Sequence, residues 1–200
     1  MRLLVYHGTD FAIAQQIRSE GFKPKLNPEH WLGNGIYFFT DETLAKWWSA
    51  HKPTNKHGTE IKVPAVIKAT LIINDERVLD LRKLNDYIKF LEWENEYKQK
   101  IIEQARSSNG KCLIDSKKYR CDFFDFVFKE KNMDVIIGSF HKPDQPYCPP
   151  ETEDILRRLS LSYSEVQVSV KSDKQNEILK ITDIVELLSE LGDNNEQEHK

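Results

Sequence analysis

The sequence predicts a single α+β domain, and three observations support this fold class. Residues 63–73 and 165–170 alternate between apolar and polar side chains, which is the period of a half-buried strand. Asp10 precedes a segment with apolar residues at helical spacing, and Gly21 follows it, as at the two ends of an α-helix. A length of 200 residues suits one domain that can bury its own core.

The composition is that of an ordinary globular protein, with 39% hydrophobic residues, 30% charged residues and a net charge of −3. These values exclude a disordered chain and give no overall basic surface for nucleic acid. The apolar stretch at the N-terminus is too short for a signal peptide, and no run reaches the roughly 18 apolar residues of a membrane span. We therefore expect a cytoplasmic protein that does not contact a membrane.

The cysteines, Cys112, Cys121 and Cys148, are three in number, and no pair has the two-residue spacing of a metal or redox motif. Free thiols in a reducing compartment are therefore expected, rather than a disulfide framework. His141 lies near Cys148 in a proline-rich segment, but the composition there is that of an ordinary loop, so no metal is expected.

Strands and helices alternate in the first half of the chain, and caps, glycines and prolines set their limits. The expected elements are a strand at 3–6, a helix at 10–21, a loop at 23–31, a strand at 35–39, a helix after Thr40 or Asp41, and a strand at 63–73.

The second half continues this pattern and includes one long charged helix, which resembles an insertion at 85–109. The expected elements are strands at 78–81, 135–138, 165–170 and 178–181, helices at 85–106, 122–129 and 183–191, and a loop at 141–150. The predicted domain spans residues 1–191, and a disordered polar tail is expected at 192–200.

The first motif that could take part in binding or catalysis is Tyr6-His7-Gly8-Thr9, at the end of the first strand. A glycine beside a histidine lets a planar ligand approach the backbone next to an imidazole. The alternative is a histidine that only caps the following helix.

The second motif is the segment 32–41, which contains Gly33-Asn34-Gly35 and then Ile36-Tyr37-Phe38-Phe39. It is not a Rossmann fingerprint, because the third glycine is missing and the glycines precede a strand instead of opening a helix. Strand alternation places Tyr37 on the face opposite Ile36, where its ring could stack on another aromatic ring. The alternative is a glycine turn before a core strand.

The third motif is the strand at 165–170, in which Glu165 and Gln167 lie two residues apart. The period of two puts both side chains on the same face, so both could line one cleft. A solvent-exposed strand face is the alternative.

These motifs together resemble the catalytic domains of poly(ADP-ribose) polymerases and their bacterial relatives, in the ADP-ribosyltransferase superfamily. The match covers residues 3–48, and beyond Ile73 it depends mainly on the order of the elements. The resemblance implies a split antiparallel β-sheet fold with flanking helices, a His–Tyr–Glu triad and NAD⁺ as substrate.

The resemblance also implies site roles. His7 would bind a ribose hydroxyl, Gly8 and Thr9 the nicotinamide carboxamide, and Tyr37 would stack on the nicotinamide with Trp47 completing the sandwich. The family spacing favours Glu165 as the third triad residue, whereas a glutamine found at this point in some bacterial relatives favours Gln167.

The expected function is mono-ADP-ribosyl transfer to a macromolecular acceptor, either protein or nucleic acid, by a toxin or phage-defence effector that an antitoxin protein restrains. Two alternatives remain: a non-catalytic module that binds NAD⁺ or ADP-ribose, and an NAD⁺ hydrolase.

Overall fold

A computed structural model describes residues 1–51, 61–107, 115–140, 158 and 164–187. This part of the chain forms one seven-stranded sheet with α-helices on both faces. The strands are β1 Arg2–Asp10, β2 Ile36–Phe39, β3 Pro64–Ile72, β4 Val78–Asp80, β5 Val135–Phe140, β6 Glu165–Val170 and β7 Leu179–Glu186. The helices are α1 Phe11–Glu20, α2 Glu42–His51, α3 Leu84–Ser107, α4 Ser116–Glu130 and the short α5 Gln175–Ile178.

The strand order is β4-β5-β6-β2-β1-β3-β7. Every neighbouring pair is antiparallel except β4 and β5, which are parallel, so the sheet is mixed. The prediction of an α+β protein is confirmed, while a wholly antiparallel sheet is not observed. The parallel pair arises because the chain between β4 and β5 carries the long helices α3 and α4 and returns to the same end of the sheet.

The two halves of the sheet meet at a weak joint between β1 and β2. Each residue of β1 has a register partner on β3, whereas β1 and β2 are paired only at Tyr6 and Phe39. On its other side, β2 is paired with β6 along its whole length. The strands β1 and β2 therefore part next to the His7 and Tyr37 motifs.

The sheet has two faces, which we name by their helices. The α1 face carries an apolar core that packs on α1 and on the loop residue Phe22; its sheet members include Val5, Ile36, Phe38, Ile67, Val168 and Val170. The α2/α4 face carries two clusters. One is built on α4 with Leu32, Leu79 and Ile136, and the other joins Ala45 of α2 to Val66 and Leu187.

Local sequence signals set the ends of the first two helices as predicted. Asp10 caps α1, because its side chain accepts a hydrogen bond of 2.9 Å from the Ala12 backbone N–H, and Gly21 ends the helix with φ +79°. Of the two candidate caps of α2, Asp41 accepts from the Thr43 backbone N–H at 2.7 Å.

The long helix predicted at 85–106 is confirmed as α3, and the aromatic segment at 122–129 lies in α4. The α4 side chains Phe123, Phe124, Phe126 and Phe128 are all buried, and Phe90, Trp93 and Tyr97 of α3 pack against this cluster. Despite their length, the described helices include none that is apolar enough to cross a membrane.

The prediction for the C-terminal elements is confirmed in part: the strand expected at 178–181 is present from Leu179 onward as the start of β7, whereas the helix expected at 183–191 is wrong for its described residues. Residues 183–186, expected in a helix at 183–191, belong to strand β7, and Ile178 ends α5 instead of starting a strand. The unpaired edge of β3 supplies backbone partners for this segment, and its β-branched side chains fit there: Ile184 is paired with Ile67 and Val185 with Val66. Residues 188–191, the loop at 141–150, the tail at 192–200, Cys112 and Cys148 lie outside the described residues.

Candidate functional site at the joint between β1 and β2

The His7 imidazole bridges the gap between the two halves of the sheet. Its Nδ1 atom lies 2.8 Å from the carbonyl oxygen of Tyr37. Because a carbonyl only accepts hydrogen bonds, Nδ1 carries the proton, and Nε2 is left as an acceptor in the neutral ring. Burial lowers the pKa of His7, and the hydrogen bond to Tyr37 opposes this effect only in part.

Two aromatic rings hold the imidazole on the α1 face. The ring of Phe22 meets it edge-on at 5.2 Å between centroids, and the ring of Phe38 does so at 5.8 Å. Edge-to-face contacts of this kind fix ring orientation as well as burying apolar area. His7 is therefore a rigidly held neutral imidazole and does not cap the helix that follows it, because that cap is Asp10.

The lowered pKa of His7 should make the free energy of unfolding depend on pH near neutrality. The unfolded chain binds a proton at this position near pH 6.5, whereas the folded chain resists it, so the free energy of unfolding should fall as the pH drops below about 6.5. Urea denaturation at pH 5.5 and 7.5 would measure the difference. We expect His7→Asn to reduce this difference and Gln15→Asn, an exposed change on α1 that involves no titrating group, to leave it in place. An unchanged difference in His7→Asn would contradict the assignment.

The Tyr37 side chain is anchored to the loop that precedes its own strand. Its hydroxyl accepts a hydrogen bond from the Leu32 backbone N–H at 2.7 Å and donates one to the Gly33 carbonyl at 2.8 Å. Burial raises the pKa of Tyr37 well above its ordinary value, so the phenol stays neutral. The ring also lies 5.2 Å from that of His30.

The polar face of β6 is mostly buried, with Gln167 half-buried between two buried residues. Glu165 is 3% exposed and Ser169 is fully buried, which excludes the solvent-exposed strand face as an explanation of this motif. The Gln167 side-chain amide donates a hydrogen bond to the Glu165 carboxylate. Both candidate residues thus lie together, one orienting the other.

Sheet register places Tyr37, Glu165 and Gln167 on the α2/α4 face. Tyr37 is opposite Ser169 on β6, and Phe39 is opposite Gln167. In antiparallel pairs, opposite residues project from the same side of the sheet. The aromatic and acidic candidates therefore share one surface, next to the joint with β1.

The His7 side chain is on the opposite face, because Tyr6 is the residue paired with Phe39. His7 hydrogen-bonds to the backbone carbonyl of Tyr37 and does not contact the Tyr37 ring through this bond. The structure thus brings the three motifs to one joint in the sheet but divides their side chains between its two faces.

Gly8 allows α2 to pack directly on β1. A Cβ atom built at Gly8 would lie 2.1 Å from the carbonyl oxygen of Ala45 and 3.1 Å from the backbone nitrogen of Ser49. Helix α2 therefore occupies the space that the missing side chain leaves. The neighbouring Thr9 is buried, with 9% of its surface exposed.

The two tryptophans on α2 have different ring partners, and that of Trp48 is Phe39. Its ring lies 6.1 Å from that of Phe39, which is the register partner of Gln167. The predicted clamp residue Trp47 instead stacks on His51, with centroids 5.2 Å apart and planes at 14°.

The Gly33-Asn34-Gly35 turn is confirmed as the lead-in to a strand. Gly33 has φ +76°, and a Cβ atom at Gly35 would lie within 2.8 Å of the Val170 carbonyl. Asn34 joins the turn to α4, since its side-chain amide donates to Asp125 at 2.6 Å. The absence of a helix after these glycines supports the rejection of a dinucleotide-binding fingerprint.

Three residues at the joint were not identified from the sequence. Ser169 could have been, because it continues the alternation of Glu165 and Gln167. Phe22, whose ring contacts His7, and Gln175, which hydrogen-bonds to the Phe22 backbone, carry no local signal of these roles.

The fold and the site define an α+β protein with a buried polar cluster beside an open strand joint. No protein-family profile matches the chain. The chain is 37% identical over 185 residues to the protein named "Uncharacterized protein MJ0359" from Methanocaldococcus jannaschii, and the aligned region covers 86% of this chain and 83% of that protein. The chain therefore belongs to the same family as this archaeal protein.

Proposed function

We propose that the chain has the ADP-ribosyltransferase fold and transfers ADP-ribose from NAD⁺ to a macromolecular acceptor. The observation that supports this most is the joint between β1 and β2, where His7 hydrogen-bonds across to Tyr37 and the motifs that resemble the family meet. A split in the sheet is where this fold would admit the dinucleotide.

Cleavage of the bond between nicotinamide and ribose develops positive charge on the sugar, as in glycoside hydrolysis. A carboxylate held next to the ribose stabilises this charge, and more strongly where water is excluded. Glu165 is buried, and Gln167 orients its carboxylate. We therefore assign the stabilisation of the positive charge on the ribose to Glu165 and a positioning role to Gln167.

The remaining roles are those that the family resemblance implies. His7 offers Nε2 as an acceptor for a ribose hydroxyl, and Tyr37 supplies an aromatic surface beside Glu165. Gly8 and Thr9 contribute backbone and hydroxyl groups for the carboxamide. Trp47 remains the family-spaced candidate for the second ring of the clamp.

The biological role that accompanies this activity is a toxin or phage-defence effector. It would modify a protein or a nucleic acid and be restrained by an antitoxin protein. Its size and the family resemblance support this role, and the acceptor is the first partner to identify.

Glu165→Gln should abolish most of the consumption of labelled NAD⁺. Loss of one such electrostatic partner commonly lowers the rate by about 10²–10³-fold. Purified protein would be incubated with labelled NAD⁺ and cell lysate, and the label would be followed after nuclease or protease digestion. Glu103→Gln, a matched change at an exposed position on α3, should leave the rate unchanged.

The outcomes separate the alternatives. Label released by protease identifies a protein acceptor, and label released by nuclease identifies a nucleic acid. Free ADP-ribose without a labelled macromolecule would indicate a hydrolase, and binding of NAD⁺ without turnover would indicate a non-catalytic module. Full activity in a folded Glu165→Gln variant would refute the site.

A further inference from the structure

One amide side chain, Gln175, holds both backbone polar groups of Phe22. Its Oε1 accepts from the Phe22 N–H at 2.7 Å, and its Nε2 donates to the Phe22 carbonyl at 3.0 Å. The same Nε2 also donates to the Ser172 carbonyl at 3.1 Å. Only a side chain with a donor and an acceptor side by side can make this set of hydrogen bonds.

These bonds fix a segment that no strand pairing holds. Phe22 follows α1 and precedes β2, and it belongs to neither. The preceding Gly21 has φ +79°, and a Cβ atom there would come within 3.0 Å of the Gln175 Oε1. The Gln175 amide thus replaces the partner strand that would otherwise satisfy this backbone.

The position of the Phe22 ring determines the environment of His7. Phe22, Phe38 and His7 form a triangle of edge-on contacts, with centroid distances of 5.2, 5.4 and 5.8 Å. Phe22 is 7% exposed and Phe38 is 1% exposed, so neither ring has free space into which it can turn. The imidazole also hydrogen-bonds to the Tyr37 carbonyl.

We propose that Gln175 is a positioning residue for His7 and acts through Phe22. The two residues are 153 positions apart in the chain, and their hydrogen bonds hold the Phe22 ring against one side of the half-buried imidazole. Without the amide, the Phe22 segment loses its anchor and the His7 ring becomes more exposed to water. The catalytic consequence rests on the proposed transferase function, whereas the positioning of the ring does not.

The direct test is an NMR titration of the His7 imidazole. Burial is the main cause that lowers its pKa, and no charged side chain contributes among the described residues. In Gln175→Leu, which keeps the bulk but removes both kinds of hydrogen bond, the pKa should rise toward about 6.5. Glu177→Gln, an exposed change in the same short helix, should leave it unaltered.

A double-mutant cycle tests whether the effect passes through Phe22. Phe22→Leu should raise the His7 pKa as Gln175→Leu does, and the double variant should add little, because both changes open the same face. Gln175→Glu, which retains the acceptor but loses the donors, gives the same direction and serves if the leucine variant does not fold. Additive effects, or an unchanged titration in a folded Gln175 variant, would overturn the proposal.

Measuring the turnover of NAD⁺ tests whether Gln175 affects catalysis. We expect kcat to fall about tenfold in Gln175→Leu with a smaller change in KM. A displaced imidazole would stabilise the transition state less, while substrate binding would change little. An inactive wild-type protein would refute the proposed function and leave the titration to decide the positioning. A KM increase with kcat unchanged would refute this effect on catalysis.

Discussion

Gly8→Ala is expected to lower the free energy of unfolding by about 3 kcal/mol or more, at the upper end of what overpacking costs. The new methyl group would lie 2.1 Å from the Ala45 carbonyl oxygen, and both atoms are fixed by backbone. No side-chain rotation can relieve this overlap, so α2 must move away from β1. The shift would also open the cluster formed by Ala45 and Val66.

Denaturant unfolding measures this loss, and Gly138→Ala is the matched control. A Cβ atom at Gly138 would meet side-chain atoms of Leu32 and Phe140 at 3.1 Å, and these can adjust. The control should therefore lose clearly less stability. Equal losses in the two variants would show that α2 does not pack on β1 as closely as described.

Asp10→Ala is expected to cost about 3–5 kcal/mol, because one carboxylate joins the start of α1 to the segment before β3. Its Oδ1 accepts from the Ala12 N–H at 2.9 Å, and its Oδ2 accepts from the N–H groups of Lys62 and Val63 at 2.8 and 3.0 Å. Alanine would remove the shared acceptor of these three backbone donors, and the Asp10 side chain that supplies it is buried.

The stabilisation by Asp10 should depend on pH. Burial raises the pKa of Asp10, but the backbone hydrogen bonds from Val63, Lys62, Ala12 and Ile13 outweigh burial and hold it below its ordinary value. The carboxylate therefore stabilises the fold above about pH 4, and this contribution is lost as the pH falls further.

Thermal or urea unfolding of Asp10→Ala and Asp41→Ala at pH 7 provides the comparison. Asp41 also caps a helix, but it accepts the Thr43 backbone N–H in an exposed position. Its loss should cost about 1 kcal/mol. Equal costs at the two positions would show that Asp10 acts as a helix cap alone and not as a link to β3.

Strand alternation in the sequence predicts only part of the arrangement of the site. Strand alternation was enough to put Glu165 and Gln167 on one face, and the register of β6 confirms it. Alternation also separates His7 from Gly8 and Tyr37 from Phe38, but it cannot say which faces of two strands coincide. That depends on the single pair between Tyr6 and Phe39, which places the His7 and Tyr37 side chains on opposite sides of the sheet.

Burial of the Glu165 carboxylate could not be predicted in the same way. A strand with polar residues at every second position has the same pattern whether water or protein covers that face. Here β5 and β2 flank β6 on both sides, and the loop before β2 and helix α4 cover the neighbouring surface. The environment of the carboxylate is thus a property of distant segments.

The sequence by itself determined the elements whose signals are local: the cap at Asp10, the start of α2 at Thr40 or Asp41, the glycine end of α1, the long α3 and the alternating β3 and β6. The helix caps involve residues a few positions apart, and the period of the apolar side chains can be read along each segment, although the hydrogen bonds of β3 and β6 are made to distant strands. Only the tertiary structure decided that residues 183–186 extend along β3 and that Gln175 holds Phe22. In both cases the decisive partner lies more than 100 residues away, and hydrogen bonds to it outweigh the local preference for a helix or a loop.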